Sequence, residues 1–168
     1  MSVRSILWAA LSPRHKINYL RKRGCTIGKN CQIIGNVDFG SEPYLITIGD
    51  NVRFSNGVSI TTHDGGVWVL RHLDKQLADI DKFGKVQIGN NVHIGMESVI
   101  MPNVTIGSNV IIGARSVVTR DIPSNSVAVG TPARVIESID EYKEKTLPKI
   151  VHTKNMTASE KAEKLKNI

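Results

Sequence analysis

The sequence has few cysteines, few aromatic residues and no long apolar run, and each of these shortages excludes a class of protein. Two cysteines, Cys25 and Cys31, are too few for a disulfide framework or a cysteine-rich zinc site, so a reducing cytoplasm is the expected compartment. No uninterrupted apolar stretch reaches the roughly 18 residues that a membrane-spanning helix needs. Aromatic residues make up 5% of the chain, which argues against a core built on large rings. Residues 1–11 include a short apolar run but no good signal-peptide cleavage site.

Acidic residues are also scarce relative to basic ones. The 22 Lys and Arg outnumber the 15 Asp and Glu, which gives a formal net charge of +7. Such a charge suits anionic partners such as phosphates, nucleic acid or a membrane surface, but it does not determine the fold. We expect no nucleic-acid partner, because the basic residues are not interleaved with aromatic residues that could stack on bases. The 168 residues, 40% of them hydrophobic, suffice for one domain with a core.

What the sequence does contain is a repeat with a period of six residues. Every sixth residue over 88–118 is a branched aliphatic, namely Ile88, Ile94, Ile100, Ile106, Ile112 and Val118. A second series, displaced by four residues and running over 92–122, is small or β-branched throughout. The period recurs less regularly over 27–39 and 48–60. The nine-residue step from Phe39 to Ile48 breaks its phase and predicts a bulge or small loop near 41–44.

A period of six fits neither an α-helix nor a single amphipathic strand, but it does fit a short strand followed by a turn. Three such units make a triangular coil, and coils stack about 4.8 Å apart as parallel strands. One coil buries nothing alone, whereas stacked coils enclose a continuous apolar column. Residues 88–123 predict two coils and residues 27–62 about two more. The sequence therefore predicts an all-β fold, a single-stranded parallel β-helix.

Three regions follow from this interpretation. Residues 1–24 are predicted to form an N-terminal helical cap, because an open solenoid end is an exposed strand edge. Residues 25–133 form the β-helix, with an inserted loop at 63–87 where the repeat stops, and residues 134–168 form a helical extension. The basic residues of the cap leave a second possibility open, contact with an anionic membrane surface, but we favour capping alone.

Residues 88–136 and 48–64 closely resemble the hexapeptide-repeat acyltransferases, in particular the maltose/galactoside O-acetyltransferase branch with its polysaccharide O-acetyltransferases. The resemblance implies a left-handed β-helix, an exception to the usual right-handed crossover. It also implies a homotrimer that transfers an acetyl group from acetyl-CoA to a saccharide hydroxyl without a metal. The expected location is the cytoplasm, at the inner membrane face if the basic N-terminus contacts lipid.

Acetyl transfer to a sugar needs a base, because a hydroxyl must lose its proton as it attacks the thioester. Imidazole titrates in the suitable range. His63 lies where the ordered repeat meets the insertion and matches the family's catalytic histidine, so the resemblance implies that it is the general base for direct attack. The alternative is a loop histidine exposed by chance. Asn36 is the nearest match to the asparagine that the family uses to stabilise the tetrahedral intermediate, the alternative being a turn residue.

The resemblance also implies a groove for acetyl-CoA between neighbouring solenoids. The residues that match this groove are Gly95, Met96, Ala114, Thr119, Arg120 and Arg134. Arginine forks suit phosphate oxygens, whereas Met96 stands where a small polar residue is common.

Three further residues are candidates for contact with the acceptor. Asp64 adjoins the predicted base. Trp68 in the inserted loop could be a platform for a sugar ring or, equally, a buried anchor for the loop. His93 stands where the family usually has tryptophan, although a surface histidine between coils is the favoured alternative.

Two rival functions remain open. The first is a solenoid that only binds or scaffolds. The second is a γ-type carbonic anhydrase, which uses the same solenoid but needs three histidines converging on zinc. The spacing of His63, His72 and His93 does not suit that arrangement.

Overall fold

The computed structural model of the protein describes residues 12–166, which form a triangular β-solenoid preceded by one helix and followed by two. The helix α1 spans Pro13–Lys22. The strands in chain order are β1 (Thr26–Ile27), β2 (Gln32–Ile33), β3 (Ile46–Ile48), β4 (Arg53–Phe54), β5 (Ser59–Ile60), β6 (Val86–Ile88), β7 (Val92–Ile94), β8 (Val99–Ile100), β9 (Thr105–Ile106), β10 (Val110–Ile112), β11 (Val117–Val118), β12 (Ser126–Gly130) and β13 (Ala133–Ser138).

Each coil contributes one short segment to each of three faces. Face A contains β1, β3, β6 and β9; face B contains β2, β4, β7, β10 and β12; face C contains β5, β8 and β11. All of these strands pair in parallel, with equivalent residues of successive coils in register, as in the pairing of Ile48 with Ile88 and of Ile88 with Ile106. In the first coil, the place of a face C strand is taken by Asp38, which bridges to Ser59. Four coils are present, as predicted, and Ile122, which bridges to Ile106, begins a partial fifth coil with β12.

The six-residue series forms the core, as predicted. Ile94, Ile100 and Ile112 are 0% exposed. Ile94 stacks under Ile112 on face B, and Ile100 stacks between Ile60 and Val118 on face C. Two members of the second series, Ser98 and Ser116, are buried serines whose hydroxyls form hydrogen bonds with the main chain. The Ser98 hydroxyl donates to the Gly113 carbonyl at 2.9 Å, and the Ser116 hydroxyl accepts from the Gly130 amide at 3.1 Å. Buried polar groups need such partners.

Asparagines turn the corner between faces A and B. Asn51, Asn91, Asn109 and Asn125 all have φ between 55° and 60°, a left-handed conformation that asparagine tolerates better than most residues. Their side chains also connect coils, because Asn91 Nδ2 donates to Asn109 Oδ1 at 2.9 Å and Asn109 Nδ2 donates to Asn125 Oδ1 at 2.8 Å. The asparagine-rich turns therefore stabilise the stack as well as the bends.

The helix α1 covers the first coil and supplies cations to its exposed carbonyls. Pro13 begins the helix, as suits a residue without an N–H, and Leu20 is buried against the core. Lys16 Nζ donates to the Gly35 carbonyl at 2.6 Å. Two arginines of this region make equivalent bonds, Arg21 to the carbonyls of Ile27 and Gly28 at 2.8 and 2.7 Å, and Arg23 to that of Ser41 at 2.8 Å. All three corners of the first coil thus receive a cationic donor, which supports the capping interpretation. Residues 1–11 of the predicted cap lie outside the described part of the chain.

The opposite end of the solenoid is closed by a strand, contrary to expectation. The prediction of a helix from residue 134 is wrong at its start, because β13 turns back and pairs antiparallel with β12. Helix α3 (Ile139–Thr146) and helix α4 (Ala158–Leu165) follow, each begun by a capping box. A 3-10 turn at Leu147–Lys149 lies between them. No helix within residues 12–166 is long and apolar enough to cross a membrane.

The repeat is interrupted twice. A 3-10 turn at Pro43–Leu45 occupies the phase slip predicted near 41–44. A larger insertion, residues 61–85, separates β5 from β6. Its helix, α2i, spans Val67–Leu73 and is followed by a 3-10 turn at Lys75–Leu77. The predicted insertion ended at residue 87, but β6 already begins at Val86.

Arg21→Ala is expected to lower the free energy of unfolding by about 1–3 kcal/mol, because it removes charge-assisted hydrogen bonds to carbonyls at the open end of the stack. Urea denaturation measures this change. Lys22→Ala, one residue along the same helix and exposed, is the matched control and should differ little from wild type. Equal losses in the two variants would contradict a specific capping role.

Candidate active site

His63 lies at the corner where the chain leaves face C for the insertion. It follows Thr62, which is fully buried, and its own side chain is 47% exposed. Its Nδ1 lies 3.2 Å from Oε2 of Glu42, whose side chain is 16% exposed. The same carboxylate oxygen accepts the Thr62 hydroxyl at 3.0 Å. An antiparallel bridge to Phe83 fixes the main chain of His63. The imidazole is therefore held on one side while the other remains accessible.

Glu42 was not among the residues predicted from the sequence, yet it is the group that contacts the predicted base. It precedes the 3-10 turn at Pro43–Leu45 and so occupies the corner equivalent to that of His63, one coil earlier. A hydrogen bond from the Ser41 side chain, with further bonds from Thr62 and His63, holds the pKa of Glu42 below its ordinary value. An ionised carboxylate only accepts hydrogen bonds, which assigns the proton of neutral His63 to Nδ1 and leaves the Nε2 lone pair free. The signal that could have identified Glu42 was its position in the phase slip.

Asp64 closes the base of the insertion. Its Oδ2 lies 2.8 Å from Lys82 Nζ, its Oδ1 accepts the Gly66 amide at 2.9 Å, and its own amide donates to the Lys82 carbonyl at 2.8 Å. The hydrogen bond from Lys82 is the chief reason that the pKa of Asp64 is lowered. The predicted acceptor contact thus lies beside His63, but its carboxylate is engaged in joining the two ends of the insertion.

Asn36 lies at a different corner from His63. It occupies the turn between faces B and C of the first coil, where its amide donates to Asn56 Oδ1 at 2.7 Å and its carbonyl accepts the Gly57 amide at 2.6 Å. His63 follows the face C strand, whereas Asn36 precedes the equivalent segment. The main-chain bonds of Asn36 are those of a turn residue, and within the described residues no hydrogen bond joins its side chain to His63.

The residues predicted for acetyl-CoA border face C. Gly95, Met96 and Ala114 lie at its corner with face B on successive coils; a methyl group on Gly95 would come within 2.5 Å of the Ala114 amide nitrogen, so glycine is required there. Thr119 and Arg120 follow β11 at the corner with face A, the same edge of face C as His63. Met96 is 52% exposed. Arg134 lies on β13 opposite Val129 and donates to the Ala133 carbonyl at 2.9 Å.

The other two predicted acceptor residues lie in different places. Trp68 is 64% exposed on α2i, so it does not anchor the insertion by burial. Its ring centroid lies 4.5 Å from that of His72, whose Nδ1 is 2.8 Å from the Trp68 carbonyl. His93 lies on face B between Arg53 and Ile111, away from the face that ends at His63.

Neither the two cysteines nor the potential metal ligands in residues 12–166 form a further candidate site. Cys25 and Cys31 are buried in the first coil, and burial raises the pKa of the Cys25 thiol to about 12. Within residues 12–166 no three histidine, cysteine, aspartate or glutamate side chains lie close enough together to hold a metal ion.

Known proteins share both the repeat and the fold. Residues 85–120 match the family model "Bacterial transferase hexapeptide (six repeats)", and residues 23–62 match "Hexapeptide repeat of succinyl-transferase". Protein CapG of Staphylococcus aureus is 50% identical over 145 residues, which cover 84% of this chain and 82% of CapG. A maltose O-acetyltransferase structure from Clostridium difficile 630 superimposes with a TM-score of 0.61 at 33% identity, covering 80% of this chain and 81% of that one. A galactoside acetyltransferase in complex with coenzyme A gives a TM-score of 0.55 at 26% identity, covering 90% and 82%.

The repeat and the left-handed parallel β-helix define a hexapeptide-repeat transferase, as the sequence predicted. This chain belongs to the hexapeptide-repeat acetyltransferase family, which includes the galactoside and maltose O-acetyltransferases.

Glu42→Gln is expected to remove a pH-dependent part of the stability. Because the pKa of Glu42 is lowered in the folded chain, its contribution is present above the unfolded pKa of about 4.3 and is lost as the pH falls through the lower folded value. Between about pH 7 and about pH 3, wild type should therefore lose more free energy of unfolding than Glu42→Gln, as measured by urea denaturation at each pH. Glu144→Gln, at an exposed position of α3, should follow wild type. Parallel curves for wild type and Glu42→Gln would contradict the assignment.

Proposed function

We propose that the protein transfers the acetyl group of acetyl-CoA to a hydroxyl of a saccharide, with His63 as the general base. The observation that carries this proposal is the pairing of His63 Nδ1 with the Glu42 carboxylate, 3.2 Å away, at the edge of face C. Membership of the acetyltransferase family supports the donor, and the maltose and galactoside O-acetyltransferases among the relatives support a sugar acceptor.

The chemistry follows from the two ends of the imidazole. Glu42 accepts a hydrogen bond from Nδ1–H and so keeps Nε2 as the basic atom. Nε2 takes the proton of the acceptor hydroxyl while the hydroxyl oxygen bonds to the thioester carbonyl carbon. When the carbon–sulfur bond breaks, the imidazolium returns the proton to the departing thiolate, so the products are an acetyl ester and coenzyme A with a free thiol. Glu42 acts as a positioning residue that also stabilises the imidazolium.

The donor would lie along face C. The small residues Gly95 and Ala114 allow the pantetheine arm to approach the main chain, and Thr119, Arg120 and Arg134 are suited to the phosphates. A single solenoid offers one wall for such a ligand. A homotrimer, with a neighbouring copy supplying the second wall, completes the groove in this proposal.

The insertion would shape the acceptor site. Trp68 presents an exposed ring on α2i, and the Asp64–Lys82 pair holds the ends of the insertion beside His63. An exposed aromatic face suits the apolar side of a sugar ring. We place the reaction in the cytoplasm; any contact with an anionic membrane would involve cations that the cap does not use, such as Arg14 and Lys22.

His63→Ala is expected to reduce turnover by roughly 100-fold or more, because the hydroxyl loses its proton acceptor. Release of free coenzyme A from acetyl-CoA, screened over a panel of saccharides, measures this rate. Coenzyme A affinity, measured by calorimetry, should stay near that of wild type, because the imidazole is not part of the proposed phosphate contacts. A variant that kept near-normal turnover would remove His63 from the mechanism.

A non-catalytic scaffold is the rival function, and ligand binding separates the two. Acetyl-CoA at 100 times its Kd should stabilise the folded protein by about 2.7 kcal/mol, seen as a rise in melting temperature. His63→Ala should show the same rise if it retains the donor site. No stabilisation of wild type at millimolar acetyl-CoA would favour the scaffold.

A further inference from the structure

A second polar groove lies on face B, away from His63. Its volume is about 440 Å³, and it runs over β4, β7 and β10 beside the start of α3. The polar lining consists of Arg53, His93 and the corner asparagines Asn51, Asn91 and Asn109. Ile111 and Ile139 form an apolar wall. The proposed acetyl transfer assigns no function to Arg53 or to these asparagines.

Arg53 has no acidic partner in this groove. It pairs in register with His93, and Ile111 follows His93 on the next coil, so its cross-strand neighbours carry no carboxylate. None of the ion pairs found between residues 12 and 166 includes Arg53. The lysines and arginines that do form ion pairs there each contact an aspartate or glutamate: Arg71, Lys82, Arg115 and Lys145. A guanidinium in a groove without a counter-charge favours an anionic ligand.

The neighbouring imidazole adds to this preference. Burial, and then the charge of Arg53, lower the pKa of His93, and a bound anion would act in the opposite direction. The side chains opposite it, Ile111 on β10 and Ile139 on α3, do not titrate. Glu137, on β13 of the same sheet, is paired with Lys145 at 2.6 Å. Asp50 and Asp140 adjoin the lining residues Asn51 and Ile139 in sequence but are not themselves part of the lining.

The asparagine corner supplies neutral donors. Asn91 and Asn109 are joined by their side-chain bond at 2.9 Å, whereas the Asn51 amide makes no side-chain hydrogen bond within the described chain. Asn51 lies two residues before Arg53, at the end of the groove where the guanidinium lies. One guanidinium fork, one imidazole and a free amide thus converge on a space with an apolar wall.

We propose that this groove binds the phosphoryl group of a phosphate-bearing small molecule, with Arg53 as its principal ligand. The planar guanidinium matches two phosphate oxygens at once, and His93 and Asn51 can donate to the remaining oxygens. The wall of Ile111 and Ile139 contacts the organic part of the ligand. The phosphate could belong to coenzyme A bound against a neighbouring copy or to a nucleotide-linked saccharide acceptor. Only this choice of source rests on the proposed function.

Calorimetric titration tests the site with three probes: inorganic pyrophosphate, coenzyme A and uridine diphosphate. Arg53→Gln should weaken pyrophosphate binding by roughly ten-fold or more, because charge-assisted bonds are lost, and Arg53→Lys should fall between that variant and wild type. Lys161→Gln, on the exposed face of α4, removes the same charge outside the groove and should bind as wild type. Each titration is repeated in an Arg120→Gln background, where the loss caused by Arg53→Gln should persist.

The other two probes identify the source. Weaker binding of uridine diphosphate with unchanged coenzyme A supports a phosphate of the acceptor, and the reverse supports the donor. Unchanged affinity of folded Arg53→Gln for all three probes, with circular dichroism matching wild type, would overturn the proposal. The measurement needs no acetyl transfer, so a failure of the proposed reaction would be seen separately, as a lack of coenzyme A release with every acceptor.

Discussion

Parallel main-chain hydrogen bonding between successive coils is the constraint on which the other features of this protein depend. On face A alone, Gly28 donates to Ile48, Gly49 to Ile88 and Gly89 to Ile106, all at 2.8–2.9 Å. These bonds fix the step between coils, so a residue type that suits a corner in one coil suits it in the next. The aliphatic column, the asparagine ladder and the buried serines all follow from this repetition. A solenoid of this kind has little freedom except at its ends and at interruptions of the repeat.

The ends show how the same bonding must be terminated. The first coil has no preceding coil to bond to, and Lys16, Arg21 and Arg23 donate to its exposed carbonyls. At the far end, β13 reverses direction and pairs with β12, which ends the parallel stack. Part of the basic character of the N-terminal region is therefore a structural requirement of the fold.

The interruptions are where the candidate chemistry lies. The phase slip places Glu42 at one corner, and the insertion leaves the next coil at the same corner through His63. Because the coils are in register, two breaks in the repeat that are 21 residues apart become one contact. Departures from local regularity commonly mark functional sites, and here both departures meet at the edge of the face that borders the residues matched to acetyl-CoA.

The sequence by itself determined which residues face the core, how many coils stack, where the insertion leaves and which histidine lies at that exit. A strict period of six ties each of these to local spacing. Only the tertiary structure decided that Glu42 contacts His63 while Asn36 turns a different corner, because an alignment carried across the phase slip is uncertain by a residue or more. It also decided that residues 134–138 form a strand, since an exposed edge of β12 was available for pairing. Likewise, Arg53 and His93 became neighbours through the stacking of coils 40 residues apart in sequence, a contact that no local pattern specifies.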